Sequence, residues 1–311
     1  MKTTSFLRWE SMLAVVVVLE FVLFSSVSPY FFSVDTLSDA SFNFTERALV
    51  ALPLALLIIA GEIDISVAAI IALASVAMGL GAAQGVGTPG LALIGLGTGL
   101  LAGSINGALV TIGRVPSIVA TIGTMTLFRG AAYAVLGDRV LKQYPESFAA
   151  FGQGYLAGPI SIELGLFVMF ALLFAVFLHH TRWGRAIYAI GANPVASRFA
   201  GVAVNRYRFA LFALTGLFSG LAAVLLTSRL GSTRPSIAQG WELEIISIVI
   251  LGGVSVWGGK GSILGVVLAA LVFGLVTFGL GLMNIPGIVM SIFIGLLLIL
   301  VVAVPALLGR R

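Results

Sequence analysis

Four places in the 311-residue chain carry residue types that could do chemistry. His179 and His180 could ligate a metal. Lys260, inside the glycine-rich "GGVSVWGGKGS" (Gly252–Ser262), could hold a phosphate. Ser219 in "FSG" could act as a nucleophile, and Glu20, Asn106 and Arg129 could pass a proton or line a polar path. Spacing disposes of the first three. Adjacent histidines point in different directions on a helix and cannot share a metal well. At a helix end they serve the helix dipole instead. A phosphate loop needs a glycine five residues before the one preceding lysine, and Ser or Thr after it; Val254 and Gly261 stand there. Ser219 has Leu217 where the intramembrane protease pattern has its first glycine, and no histidine lies in a later span to act as base. No catalytic residue and no metal site are therefore expected, and the chain has no ATP site of its own.

Glu20, Asn106 and Arg129 require the surrounding elements before they can be judged. Hydrophobic residues make up 59% of the chain and charged ones 9%, with mean hydropathy +1.14. Apolar runs approach twenty residues, the length that crosses a bilayer's hydrocarbon core. There the backbone must satisfy itself, and continuous rather than alternating runs select helices over a closed barrel. The expected fold is all-α and polytopic, a single transmembrane domain over 1–311. "MLAVVVVLEFVLFSSV" reads as a retained first span, because Pro29 and "PYFF" follow it instead of a small-residue cleavage site. Zero cysteines exclude disulfides and thiolate metal sites.

Glycine, proline and charge punctuate about ten spans: 11–31, 47–61, 65–83, 90–112, 116–137, 162–180, 208–228, 243–257, 262–282 and 287–308. With both termini cytoplasmic, eleven of the seventeen basic residues fall inside, as the positive-inside rule demands. The net charge of +5 then records orientation, and no nucleic-acid partner is expected. Ten spans divide five plus five in opposite topology. "VPSIV" (Val115–Val119) and "IPGIV" (Ile285–Val289) each open the last span of a half, a short echo of an inverted repeat. Gly95, Gly99, Gly103 and Gly107 form a smooth ridge on one span, and Gly216 and Gly220 repeat the device on another.

Within this frame the intramembrane polar residues are costly and therefore informative. Glu20 pairs with Arg129 or another polar group for structure, or else Asn106 and Arg129 face a polar translocation pathway. Three such residues are few for a proton relay and suit a neutral, hydroxyl-rich solute.

One segment stands apart. From Thr181 to Arg208 lie Arg182, Arg185, Arg198, Arg206 and Arg208 and no acid. Asn193 and Pro194 can start a helix, "VASRFA" continues it and Gly201 can end it. Membrane lipid alone would attract such a basic stretch. Yet "GRAIYAIGANPVASRFAGVAV" (Gly184–Val204) resembles the cytoplasmic loop of bacterial ABC importer permeases of the ribose, xylose, rhamnose and autoinducer-2 group. "AGEIDISVAAIIALAS" (Ala60–Ser75), "TIGTMTLFRGAAY" (Thr121–Tyr133) and "LGGVSVWGGKGSILG" (Leu251–Gly265) are similar to other segments of that family, in the same order. Glu62 and Ala68 depart from its usual glycines. The resemblance implies a permease subunit for a monosaccharide or similar small hydroxylated solute in the bacterial inner membrane. It implies that the loop at about 181–207 docks on a separate ABC ATPase subunit, which binds the ATP and Mg. Gly184, Arg185, Gly191, Asn193, Pro194, Ala196, Ser197, Arg198 and Gly201 carry that coupling role by the resemblance. A second permease chain, identical or homologous, and an external solute-binding protein complete the expected assembly. The residues alone leave an ion-coupled secondary transporter as the alternative.

Overall fold

The computed structural model describes residues 3–27, 31, 33, 38, 40–42, 44–287, 289, 290, 292, 295 and 296. The expected tenth span, 287–308, lies mostly outside them. The helices are α1 (Thr3–Val27), α2 (Thr45–Ile59), α3 (Val67–Ala83), α4 (Thr88–Thr111), α5 (Ser117–Leu136), α6 (Ile162–His180), α7 (Arg182–Ala192), α8 (Pro194–Phe199), α9 (Val204–Leu230), α10 (Trp241–Leu251) and α11 (Ile263–Leu282). Six of them, among the described residues, are long and apolar enough to cross a membrane: α1, α4, α5, α6, α9 and α11. The protein is an all-α polytopic membrane protein.

α2 is the axis of the bundle. Every residue of it except Arg47 is buried, which requires apolar residues on all sides, and "ALVALPLALLII" supplies them. α5 and α6 instead leave Leu127, Val135, Leu172 and Val176 exposed, the outward apolar face that lipid accepts. α4 and α9 cross at their glycines. A Cβ placed on Gly99 would lie 2.7 Å from the Gly220 Cα, and one on Gly103 would lie 2.8 Å from the Gly216 Cα. The two small-residue ridges are thus partners, and their backbones touch without intervening side chains.

One expected boundary is corrected, and one connection proves structured. The span placed at 243–257 is a helix of only eleven residues, Trp241–Leu251. It stops because Gly252 lies against the Val266 backbone and Gly253 takes φ +83°. The connection between α5 and α6 also has structure of its own: helical turns at Glu146–Ala149 and Ala150–Gln153, and a hairpin of β1 (Tyr155–Ala157) with β2 (Ile160–Ser161).

Loops gather at two ends of the bundle. Turns 60–66, 112–116, 181–203 and 252–262 meet at one end, seen in the contact of Gly258 with Gly61 and Gly191 and the Glu62–Arg208 ion pair. Connections 138–161 and 231–240 meet at the other, joined by the Leu141–Thr233 bridge.

Candidate functional site

At the first end, α7 is amphipathic. Gly184, Ile187 and Ile190 face inward while Arg182 and Arg185 are exposed. Thr181 caps it, accepting from the Gly184 amide at 3.1 Å. α8 follows after a single residue. The Asn193 side chain turns the chain by accepting the Val195 and Ala196 amides at 3.0 and 2.9 Å. Pro194 occupies the first turn, where a missing N–H costs nothing. Gly201, at φ +83°, lets the chain leave α8 in the left-handed conformation.

This helix pair is seated by backbone contact. Gly191 fits where any Cβ would overlap the Ile59 carbonyl oxygen, and the Gly259 amide donates to that same oxygen at 2.8 Å. A Cβ on Gly258 would lie 3.1 Å from the Gly61 Cα. Three segments far apart in sequence, around residues 61, 191 and 259, therefore meet at one junction. Tyr188 Oη adds a hydrogen bond to the Gly261 carbonyl at 2.7 Å, and the Trp9 indole donates to the Leu251 carbonyl at 2.9 Å. Burial, and then the nearby Glu10 carboxylate, push the Tyr188 phenol up to about 12. It therefore stays a neutral donor at any physiological pH.

The expected coupling residues divide into two sets. Arg185, Asn193, Ala196, Arg198 and Gly201 are exposed, and Pro194 is half-buried. Gly184 and Ser197 are buried and Gly191 is clamped, and these three pack the helix pair; Ser197 Oγ donates back to the Asn193 carbonyl at 2.9 Å. Two residues that sequence reasoning missed are prominent: Val195 at 58% exposure and Phe199 at 91%. They sit four apart on one face of α8. Their signal was available, since apolar residues in a helix outside the spans need a reason. Trp257, in the adjoining turn, is also 91% exposed.

Asn106 and Arg129 are not brought together. Asn106 is fully buried, and its Nδ2 donates to Asp64 at 3.1 Å and to Ser66 Oγ at 2.7 Å. Ser66 donates to Asp64 through both its amide, at 2.8 Å, and its hydroxyl, at 2.7 Å. Asp64, which the sequence reading passed over inside "GEIDIS", is thus the hub that fixes the turn between α2 and α3. Among the described residues Arg129 and Glu20 form no ion pair, which removes one of the two partners expected for Glu20. The Arg129 guanidinium donates to the Pro235 and Ile237 carbonyls at 2.7 Å each and to the Ala68 carbonyl at 3.2 Å. The chain between α9 and α10 runs non-helically there and leaves carbonyls free. An arginine with five donors satisfies them.

The opposite end is held by side chains. Ser75 hydrogen-bonds Thr233 at 2.7 Å and Thr227 at 2.8 Å. Tyr144 Oη reaches Thr233 Oγ1 at 2.5 Å, and burial pushes the Tyr144 phenol up to about 12. Arg229 meets buried Glu46 at 2.8 Å, while Arg47 meets Glu244 at 3.1 Å and lies 4.4 Å over the Trp241 ring.

An apolar bundle around a wholly buried helix, broken-helix backbone held by an internal arginine, and a basic helix pair seated at one end define the class: a polytopic membrane permease. Residues 37–302 match the family described as "Branched-chain amino acid transport system / permease component", and the chain belongs to that family. It is 35% identical over 302 residues to the "Autoinducer 2 import system permease protein LsrD" of Enterobacter sp. (strain 638), covering 95% of this chain and 92% of that protein. It is 36% identical over 300 residues to the protein of the same name from Escherichia coli (strain K12), covering 94% and 91%. No solved structure matches. The chain is accordingly a permease subunit of the ABC importer type, a multi-pass protein of the bacterial inner membrane.

Proposed function

We propose that this permease forms half of the translocation path for a monosaccharide-like or autoinducer-like small hydroxylated solute. It works with a second permease chain, a pair of ABC ATPase subunits that bind ATP and Mg, and an external solute-binding protein. The observation that carries the reading is α8: a capped helix, seated on backbone junctions, that presents Val195, Ala196 and Phe199 away from the bundle. Small and apolar side chains at the centre of a contact with arginines at its rim are the composition of a protein-docking face. Lipid anchoring would need the basic residues but not the capped turn.

Ten spans with both termini cytoplasmic place α7 and α8 inside the cell, by the charge bias of the sequence. The five-plus-five division gains support from the backbone. Arg114 at φ 57° and Asn284 at φ 55° each stand two residues before a proline, Pro116 and Pro286, at corresponding places in the two halves. Asn106 and Arg129 act on the pathway by holding its walls: the turn at Asp64 and the unwound segment before α10.

Reconstitution with and without the ATPase subunit tests the proposal. Uptake of solute should require nucleotide and ATPase. Full-rate transport by the permease alone would refute it and favour an ion-coupled carrier.

A further inference from the structure

Beside α8 lies a cavity of about 530 Å³ lined by Glu62, Thr111, Arg114, Ser117, Arg198, Asn205 and Arg208, among others. Three arginines and one glutamate line it. Glu62 is engaged with Arg208 at 2.9 Å, whereas Arg114 and Arg198 have no carboxylate within ion-pair distance among the described residues. Two positive charges therefore remain uncompensated around one concave space. The cavity also receives the N-terminal turn of α5, through Ser117, and a helix N-terminus favours an anion; Asn205 and Arg208 reach it from the start of α9. The last turn of α4 contributes Val110 and Thr111 with the opposite polarity, but it carries no acidic side chain.

Arg114 supplies an independent pointer. It is held at φ 57°, a left-handed backbone that Gly or Asn adopts at lower cost than a long side chain. Asn284 fills the corresponding position before Pro286. An arginine kept at the costlier conformation, with its guanidinium at a cavity and no acid beside it, has a use for the guanidinium.

We infer that this cavity is a binding site for a phosphate group, carried on a soluble phosphate monoester or on an anionic lipid headgroup. Guanidinium forks match phosphate oxygens in pairs, and a monoester carries about −1.5 to −2 charges at neutral pH, close to the two uncompensated charges. The Glu62 carboxylate keeps Arg208 in place and sets the anion toward Arg114 and Arg198. Because Arg198 belongs to α8 and Arg208 to α9, an anion there would brace the coupling helix against the bundle.

The test uses the purified full-length permease, probed with inorganic phosphate and glycerol phosphate against chloride at equal ionic strength. Thermal shift and calorimetry should show saturable phosphate binding. R114Q and R198Q should each weaken it about tenfold, the loss of one charge-assisted contact, and R182Q, on exposed α7 outside the cavity, should not. Native mass spectrometry in nanodiscs of phosphatidylcholine or phosphatidylglycerol separates the sources. A phosphatidylglycerol adduct lost in R114Q assigns the headgroup, and unchanged binding of glycerol phosphate in phosphatidylcholine assigns the soluble monoester. Equal weakening by R182Q, or a shift that chloride reproduces, overturns the site. So does an R114Q protein that loses ATPase binding while no phosphate species depends on Arg114, because the cavity would then receive a protein partner's acidic side chain.

Discussion

The two ends of the bundle are closed by different means. At the end that carries α7 and α8, backbone meets backbone: Gly61, Gly191, Gly258 and Gly259 allow the α2–α3 turn, α7 and the 252–262 turn to touch with no side chain between. At the opposite end, besides the Leu141–Thr233 backbone bridge, Ser75, Tyr144, Thr227 and Thr233 join the segments through hydroxyl groups, and Arg129 reaches across to free carbonyls. Backbone contacts have no rotamers to relax, and here they tie Gly191 of α7 to the last residue of α2. Hydroxyl contacts can exchange partners at small cost. The same contrast decides how each end should respond to substitution.

The largest effect is expected from Ala196→Glu, on the face of α8. An unpaired carboxylate buried on docking should cost about 4 kcal/mol of ATPase affinity. Uptake and permease-stimulated ATP hydrolysis should fall together while membrane insertion is unchanged. Gln84→Glu, an exposed residue of the 84–87 turn at the other end, should change either activity by less than about 0.5 kcal/mol. If both carboxylates act alike, the asymmetry between the ends fails.

Next comes Gly191→Val. The added atoms meet the Ile59 carbonyl and the Gly259 amide, neither of which can rotate away, so about 3 kcal/mol of stability should be lost in a detergent unfolding assay. ATP hydrolysis should persist but no longer respond to solute.

Arg129→Met, deeper in the bundle, strips the donors from the Pro235, Ile237 and Ala68 carbonyls. It should cost about 2 kcal/mol, measured by the same assay, with partial recovery in Arg129→Lys. Full recovery with lysine would mean that a point charge rather than the planar fork is required.

The smallest effects form a matched pair. Tyr188→Phe and Tyr144→Phe each remove one partly buried hydrogen bond, worth about 1 kcal/mol. Stability should fall similarly in both. Only Tyr188→Phe should loosen the link between solute and ATP hydrolysis, because Tyr188 bonds to the rigid junction while Thr233 retains Ser75 as a partner.

How much of this could be read from sequence follows from the range of the interactions. Apolar run length and glycine spacing are local, and they disclosed the membrane class and both ridges of the α4–α9 crossing. The Asn193–Pro194 start and Gly201 end of α8 are equally local. Arg129, by contrast, binds carbonyls more than a hundred residues away, and nothing in "TLFRGAAY" announces them. The short length of α10 has the same origin, since its boundary is set by Val266 packing on Gly252. Ser197 looked like a surface residue by type, but helix phase turns it inward while Val195 and Phe199 point out. Asp64 is visible in the quoted segment, but its role needs Asn106, from a different helix, to close the network.

The most direct test of the central claim is single-cysteine labelling at Val195, in a chain with no native cysteine. Val195→Cys should react with a membrane-impermeant maleimide in inside-out vesicles stripped of the ATPase subunit, and become protected when that subunit is restored. Labelling from the outside of intact cells, or equal reactivity with and without the ATPase, would contradict a cytoplasmic coupling role for α8.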